Sequence, residues 1–207
     1  VFRQSSLGHD KGMKIDRYNR LLWRYPLRRL DAEALRDSHL AISGELEVTF
    51  SGPYVPTTRD DAAEVIVPED RPGAHRRSIF LQQRRTQGLS MLNVFDAPSI
   101  VINCTRRPVT TMPLQSLNLL NSDFAVARGT HFAERIKAAA GDDVEERMRM
   151  AFELALGREA SKMDISDSLK FLHAQQAAYS EQENAEKRAW VDFCQLLLAS
   201  NQCLYVE

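Results

Sequence analysis

From Pro113 onward, apolar residues recur at three- and four-residue spacing almost to the end of the chain, whereas residues 45–110 keep no period for long. This contrast predicts a helical subregion over 111–207 and an irregular loop/β subregion over 45–110. Pro113 suits the first helical position after Thr111 or Met112, and Leu114, Leu117, Leu119 and Leu120 make that helix short and apolar. Asn121, Ser122 and Asp123 interrupt it, each a good N-cap. The next helix runs from Phe124 to Ala139, with Phe124, Ala127, His131, Ile136 and Ala139 as inward positions, and Gly141 stops it. Asp142 and Asp143 cap a helix through Leu156 that buries Val144, Met148, Phe152 and Leu156, and Gly157 terminates it. Ser161 with Asp164 three residues on reads as a capping box for a helix to Tyr179. The last helix covers Glu186 to Ala199, with Trp190, Phe193 and Leu197 on one side.

Upstream, Leu30 to Ser43 is the clearest helix. Asp31 caps it, Glu33 sits in the first turn where the helix dipole favours an acid, and Gly44 follows the last turn. Leu35, His39 and Ile42 form its buried stripe. Before it, NRLLWRYPLRR is rich in large apolar and Arg side chains, and Pro26 breaks any long helix there. In Glu45 to Gly73, EVTF alternates like a short strand, while GPYVPTTRDD and VPEDRPG are turn material. Arg76 to Arg85 alternates in its middle and reads as a strand. Ser99 to Asn103 is a second extended segment, and the two are expected to pair as a small antiparallel ribbon. The expected fold is mainly α: one domain over 1–207, a helical bundle with a small irregular β ribbon and a long loop region.

Composition adds limits. At 207 residues the chain can bury a core without metals or disulfides to staple it, and a hydrophobic fraction of 43% with a charged fraction of 27% is that of an ordinary soluble protein. Net charge is −1, spread unevenly: residues 1–110 carry 17 Lys/Arg against 13 Asp/Glu, and residues 111–207 carry 10 against 15. This is far from the basic balance of a nucleic-acid-binding domain, so no nucleic acid is expected as a partner. No apolar run approaches the roughly 18 residues of a membrane span. The opening VFRQSSLGHDKG has no apolar signal core. Cys104, Cys194 and Cys203 make no disulfide framework. They read as buried or spare thiols, with a Cys194–Cys203 bridge as the alternative.

Sequence signatures of common chemistries are missing: there is no C-x-x-C-H, H-E-x-x-H, Walker loop, G-x-S-x-G or G-x-G-x-x-G. His9, His39, His75, His131 and His173 show no metal-ligand spacing among themselves and read as packed or surface histidines. Asp60–Asp61 and Asp142–Asp143 read as loop and cap residues. No catalytic residue and no metal ligand is assigned. Four arginine doublets stand out: Arg28–Arg29, Arg76–Arg77, Arg84–Arg85 and Arg106–Arg107. A guanidinium fork suits carboxylates, phosphates and sulfates. Pairing to Asp31, Glu33, Asp37 or Asp96 is the structural reading; an anion-binding groove is the functional one. The densest polar stretch, NCTRRPVTTMPLQSLNLLNS from Asn103 to Ser122, places hydroxyls and guanidinium groups before a helix start. The same atoms serve as capping groups or as an anion site. The candidate anion- or partner-binding residues are Arg84, Arg85, Arg106, Arg107, Thr110, Thr111 and Gln115.

Several segments together carry a family resemblance: FRQSS at 2–6, NRLLWR at 19–24, RRLDAEALRD at 28–37, RRSIFL at 76–81, FDAPS at 95–99, CTRRPVTTMPLQSLNLLNS at 104–122, ALGR at 155–158 and SNQCLYVE at 200–207. The chain resembles the C-terminal domain of unknown function (number fifteen fifty-three) of planctomycete-type cytochrome c proteins. The resemblance implies large exported proteins, periplasmic or cell-surface, that carry a cytochrome c domain upstream. It implies a chain that is the C-terminal fragment of a larger protein, no cofactor in the chain itself, and haem c only in that upstream domain. An aromatic usually stands where this chain has Cys203. No catalytic residues are implied.

The reading that follows is a helical module, not an enzyme in isolation. It would pack on its haem domain or bind a partner or an anionic ligand such as an acidic glycan. The alternative is part of the substrate pocket of a haem-linked oxidoreductase acting on a sugar or similar molecule, with His75, Asp96 or His131 nearby.

Overall fold

Hydrogen-bonding demand and apolar period divide the chain as its sequence does. The computed structural model describes residues 4–206. The N-terminal part holds α1 (Asp10–Ile15), the two-residue strand β1 (Arg28–Arg29) and α2 (Ala32–Ser43). A long irregular stretch follows, with the hairpin strands β2 (Thr58–Arg59) and β3 (Val65–Ile66), a single 3-10 turn at Ser78–Phe80, and α3 (Ser90–Val94). The helical part comprises α4 (Pro113–Asn121), α5 (Asp123–Ala140), α6 (Val144–Leu156), α7 (Lys162–Ala178), α8 (Ala185–Leu198) and the short α9 (Asn201–Leu204), closed by β4 (Tyr205–Val206). The fold is mainly α. No helix among the described residues is long and apolar enough to cross a membrane.

Three of the bundle helices start on the expected caps, whereas Asp31, at the N-cap of α2, makes no side-chain capping bond. Ser122 accepts from the Ala125 amide to start α5, and Asp143 accepts from Glu145 and Glu146 to start α6. Ser161 and Asp164 form the expected capping box of α7. Gly44, at φ 86°, ends α2 in the left-handed conformation that a side chain would strain. α5 and α8 form the centre of the bundle. They approach closely at Gly129, where a Cβ would stand 3.1 Å from the Cβ of Gln195 and 3.3 Å from the Val191 carbonyl oxygen.

Two apolar cores result. One lies among α5–α8, with Phe132, Ile136, Met148, Phe152, Leu172, Trp190 and Phe193. The other lies under the irregular stretch, with Leu35, Val55, Leu81, Leu89, Leu92, Phe95 and Leu119. α2 spans both, giving Ala32 and Leu35 to one and Ile42 to the other. β1 and β4 pair antiparallel, Arg28 with Val206 and Arg29 with Tyr205, so the last described residues return to the start of α2.

Several expectations are corrected. Arg76 to Arg85 is not a strand: Ser78 is buried on Asp37, Ile79 points to solvent, and only isolated bridges form, Glu47 with Arg76, Val55 with Leu81 and Arg84 with Gln87. It does not pair with Ser99 to Asn103, which is a turn. The antiparallel hairpin instead joins Thr58–Arg59 to Val65–Ile66, inside the segment read as loop. Within α5 the inward face is Ala125, Arg128, Gly129, Phe132, Ala133 and Ile136, so His131 and Ala139 are exposed. Val144 is also exposed, at the first turn of α6.

Candidate functional site

The polar stretch before α4 is fastened from beneath by a residue of β1. Arg29, its side chain 5% exposed, places Nη2 2.6 Å from Asp96 Oδ2. The same guanidinium donates to the carbonyls of Thr110 and Phe95 and to Gln115 Oε1 at 3.2 Å. Asp96 follows α3 at φ 64°, a left-handed position that Asp tolerates better than most residues. Its carboxylate also accepts from the Thr110 amide and the Thr110 hydroxyl, both at 2.8 Å. Gln115 closes the ring: Oε1 accepts from the Met112 amide at 3.3 Å and Nε2 donates to the Val94 carbonyl at 3.0 Å. Burial raises the Asp96 pKa, but the Thr110 amide, Arg29 and the Thr110 hydroxyl outweigh it and hold the carboxyl below its ordinary value.

This clasp pins residues 96 and 110 together and leaves a loop standing out between them. Every residue from Ser99 to Val109 is exposed, among them Ile100 (51%), Val101 (61%), Ile102 (73%) and Val109 (66%). Within that loop Arg107 is engaged. Its fork meets Glu33 at 2.6 and 3.1 Å, with Asp31 3.8 Å away. The Glu33 bond raises the Arg107 pKa. Arg106 makes no ion pair and no side-chain hydrogen bond among the described residues. Arg84 reaches only Gln87, at 3.2 Å, and Arg85 is exposed.

The structure therefore brings Thr110 and Gln115 into one buried cluster and ties Arg107 to α2. It leaves Arg106 and Thr111 in solvent, and Arg84 and Arg85 form no hydrogen bond or ion pair with residues 103–115. The structural pairing of the arginines holds at each acid considered: Arg29 on Asp96, Arg77 on Asp37, and Arg107 on Glu33 and Asp31. A groove of about 510 Å³ runs beside the loop, with Asp31, Glu33 and Asp37 facing Arg77 and Arg107. Three carboxylates against two guanidinium groups give it no positive excess. Arg29, the centre of the clasp, was missed as a site residue, because its partners stand 66 to 86 positions away in sequence.

Asp96 makes no hydrogen bond or ion pair with His75 or His131, which both face Glu45 instead. No histidine among the described residues hydrogen-bonds a hydroxyl or thiol, so the pattern of a base beside a nucleophile does not occur there. No bridge joins Cys194 to Cys203; both are buried free thiols, and burial pushes Cys203 up to about 11.

Fold and clasp together define a helical module with an arginine-pinned exposed loop. The family model PSD1, a protein of unknown function (DUF1553), matches residues 1–172, and the chain belongs to that family. No curated protein and no solved structure matches it.

Proposed function

We propose that this chain is a non-catalytic docking module whose clasped loop, residues 97–109, seats on another domain. The observation that carries this reading is the contrast between the loop's base and its tip. The base is locked by Arg29, Asp96, Thr110 and Gln115, while four β-branched apolar side chains and Arg106 face solvent. A fixed apolar loop with one basic side chain lowers the entropy lost on association. It suits an apolar surface edged with carboxylates better than a free anion, since the neighbouring groove has no positive excess. The occupant we favour is the cytochrome c domain that the resemblance assigns to the same exported protein, at the periplasm or cell surface. An acidic glycan held by Arg106 with Arg84 and Arg85 is the weaker version.

The test is calorimetric binding of this chain to the separately purified haem domain, at low and high salt, with a sulfated glycan in a parallel arm. Binding that falls at least about 10-fold in Ile102→Asp, and falls with salt less in Arg106→Ala than in the parent chain, is the expected result. Equal binding by Ile102→Asp, or no binding to the haem domain, overturns the reading. Binding to the glycan alone transfers it to the anionic version.

A further inference from the structure

Away from the clasp, Glu45 in the turn after α2, Glu69 in the loop after β3 and His75 before the 3-10 turn converge, their donor atoms all within 4.8 Å of one another. His131 of α5 faces Glu45 of this group. Glu45 Oε1 lies 3.7 Å from His75 Nε2 and 3.5 Å from His131 Nε2. Neither contact is a hydrogen bond, yet both approach the edge, roughly 3.3 Å, of a tetrahedron with ligand bonds of about 2.0–2.1 Å. His75 Nε2 is 2.9 Å from Glu69 Oε2, and that glutamate is half-exposed.

The protein holds this group open from below. Arg128, wholly buried, sets Nη2 2.6 Å from Glu69 Oε2 and Nε 3.0 Å from Glu45 Oε2. The second contact is close but misaligned for a hydrogen bond, and Glu45 Oε2 and Arg128 Nε and Nη1 have no hydrogen-bond partner among the described residues. The arginine thus sets its charge beside Oε2 of Glu45, while Oε1 is turned to the two imidazoles. Two carboxylates against one guanidinium leave one negative charge there. The next buried cation, Arg36, is engaged with the Ala74 and Arg76 carbonyls.

We infer that Glu45, Glu69 and His75, with His131 as fourth donor, bind one divalent cation of the zinc type. Two imidazole nitrogens with two carboxylate oxygens suit such an ion better than Ca²⁺ or Mg²⁺, which prefer all-oxygen sets. Glu134 stands 3.7 Å from His131 Nδ1 and is held by Lys187 at 2.9 Å, which places a carboxylate behind the imidazole as metal-bound histidines have. Four protein donors make a closed site, so the ion acts as a clip between the irregular stretch and α5, not as a reaction centre.

The experiment uses the chain with Cys104→Ser, because the exposed Cys104 thiol is itself a metal ligand. After chelator treatment, Zn²⁺ is titrated calorimetrically and Co²⁺ is followed by visible absorption. One equivalent should bind, raise the melting temperature and give a four-coordinate Co²⁺ band. His75→Ala leaves both Arg128 contacts in place, as does Glu69→Gln for its hydrogen bond. Each should weaken binding at least about 10-fold and remove the band, with His131→Ala having the smaller effect. Failure of the parent chain to bind Zn²⁺ or Co²⁺, or undiminished binding in folded His75→Ala and Glu69→Gln, overturns the site.

Discussion

α5 and α8 meet through Phe132, Trp190, Phe193 and Leu197 on faces set by helical period, with backbone groups satisfied inside each helix. Residues 45–110 cross α2 with no ladder longer than two residue pairs, and their carbonyls find partners elsewhere. Arginines supply them. Arg36 donates to the Ala74 and Arg76 carbonyls, Arg76 to Ser51 and Pro53, and Arg29 to Phe95 and Thr110. The chain has 21 arginines against six lysines, and 15 of the arginines precede residue 108. Of the doublets, Arg29 and Arg76 are internal scaffolding and Arg77 and Arg107 pair with acids of α2 or its cap, while Arg28, Arg84, Arg85 and Arg106 are exposed. A planar fork reaches several acceptors at once where the backbone cannot form a ladder. Burial is tolerated because each charge also meets an acid or an aromatic face: Arg36 and Arg128 lie 5.5 and 5.0 Å from the Phe124 ring.

The comparison is most strongly challenged by Phe132→Ala, which empties the helical core. It should lower unfolding stability by about 3–5 kcal/mol in chemical denaturation, with both regions lost together. A second break point is the junction. His39 of α2 is fully enclosed and its Nε2 faces the Leu198 carbonyl of α8 at 3.2 Å. Burial, aided by the Arg128 charge and opposed by the Leu198 bond, lowers its pKa to about 4. Above its ordinary value near 6.5 the ring is neutral in both states and has no effect. As pH falls from about 6.5 to about 4 the unfolded chain takes up a proton that the folded one refuses, and stability drops by on the order of 3 kcal/mol. His39→Gln should flatten that part of the stability–pH curve. An unchanged slope would show that other groups produce it.

Legibility in the sequence divides along the same line. The helices from α4 to α8 were readable because apolar period and capping residues agree, as at Ser161 with Asp164 and at Asp143. The inward face of α5 was misplaced because Arg128 and Gly129 occupy it. One is a charge buried on Glu45 and Glu69, and the other a gap that admits α8. The alternation of Arg76 to Arg85 misled for a related reason: Ser78 turns inward to meet Asp37, and the Phe80 ring lies 4.0 Å from the Arg76 guanidinium. For the candidate site, Thr110 and Gln115 were visible as polar residues at a helix start, and Asp96 as an acid suited to an arginine. That Arg29 joins them was not, since no local pattern links residues 67 positions apart.

The smallest of these effects is the most direct test of the claim that arginine forks hold the irregular half. Arg29→Met keeps the length and apolar stem of the side chain and removes the fork, at an expected cost of about 2 kcal/mol. Amide hydrogen exchange then reads Thr110, whose N–H donates to Asp96 at 2.8 Å. Loss of protection at Thr110 and its neighbours, with the amides of α5 and α8 unchanged, is the result expected. Protection at Thr110 equal to that of the parent chain, or an equal loss across α5 and α8, contradicts the account.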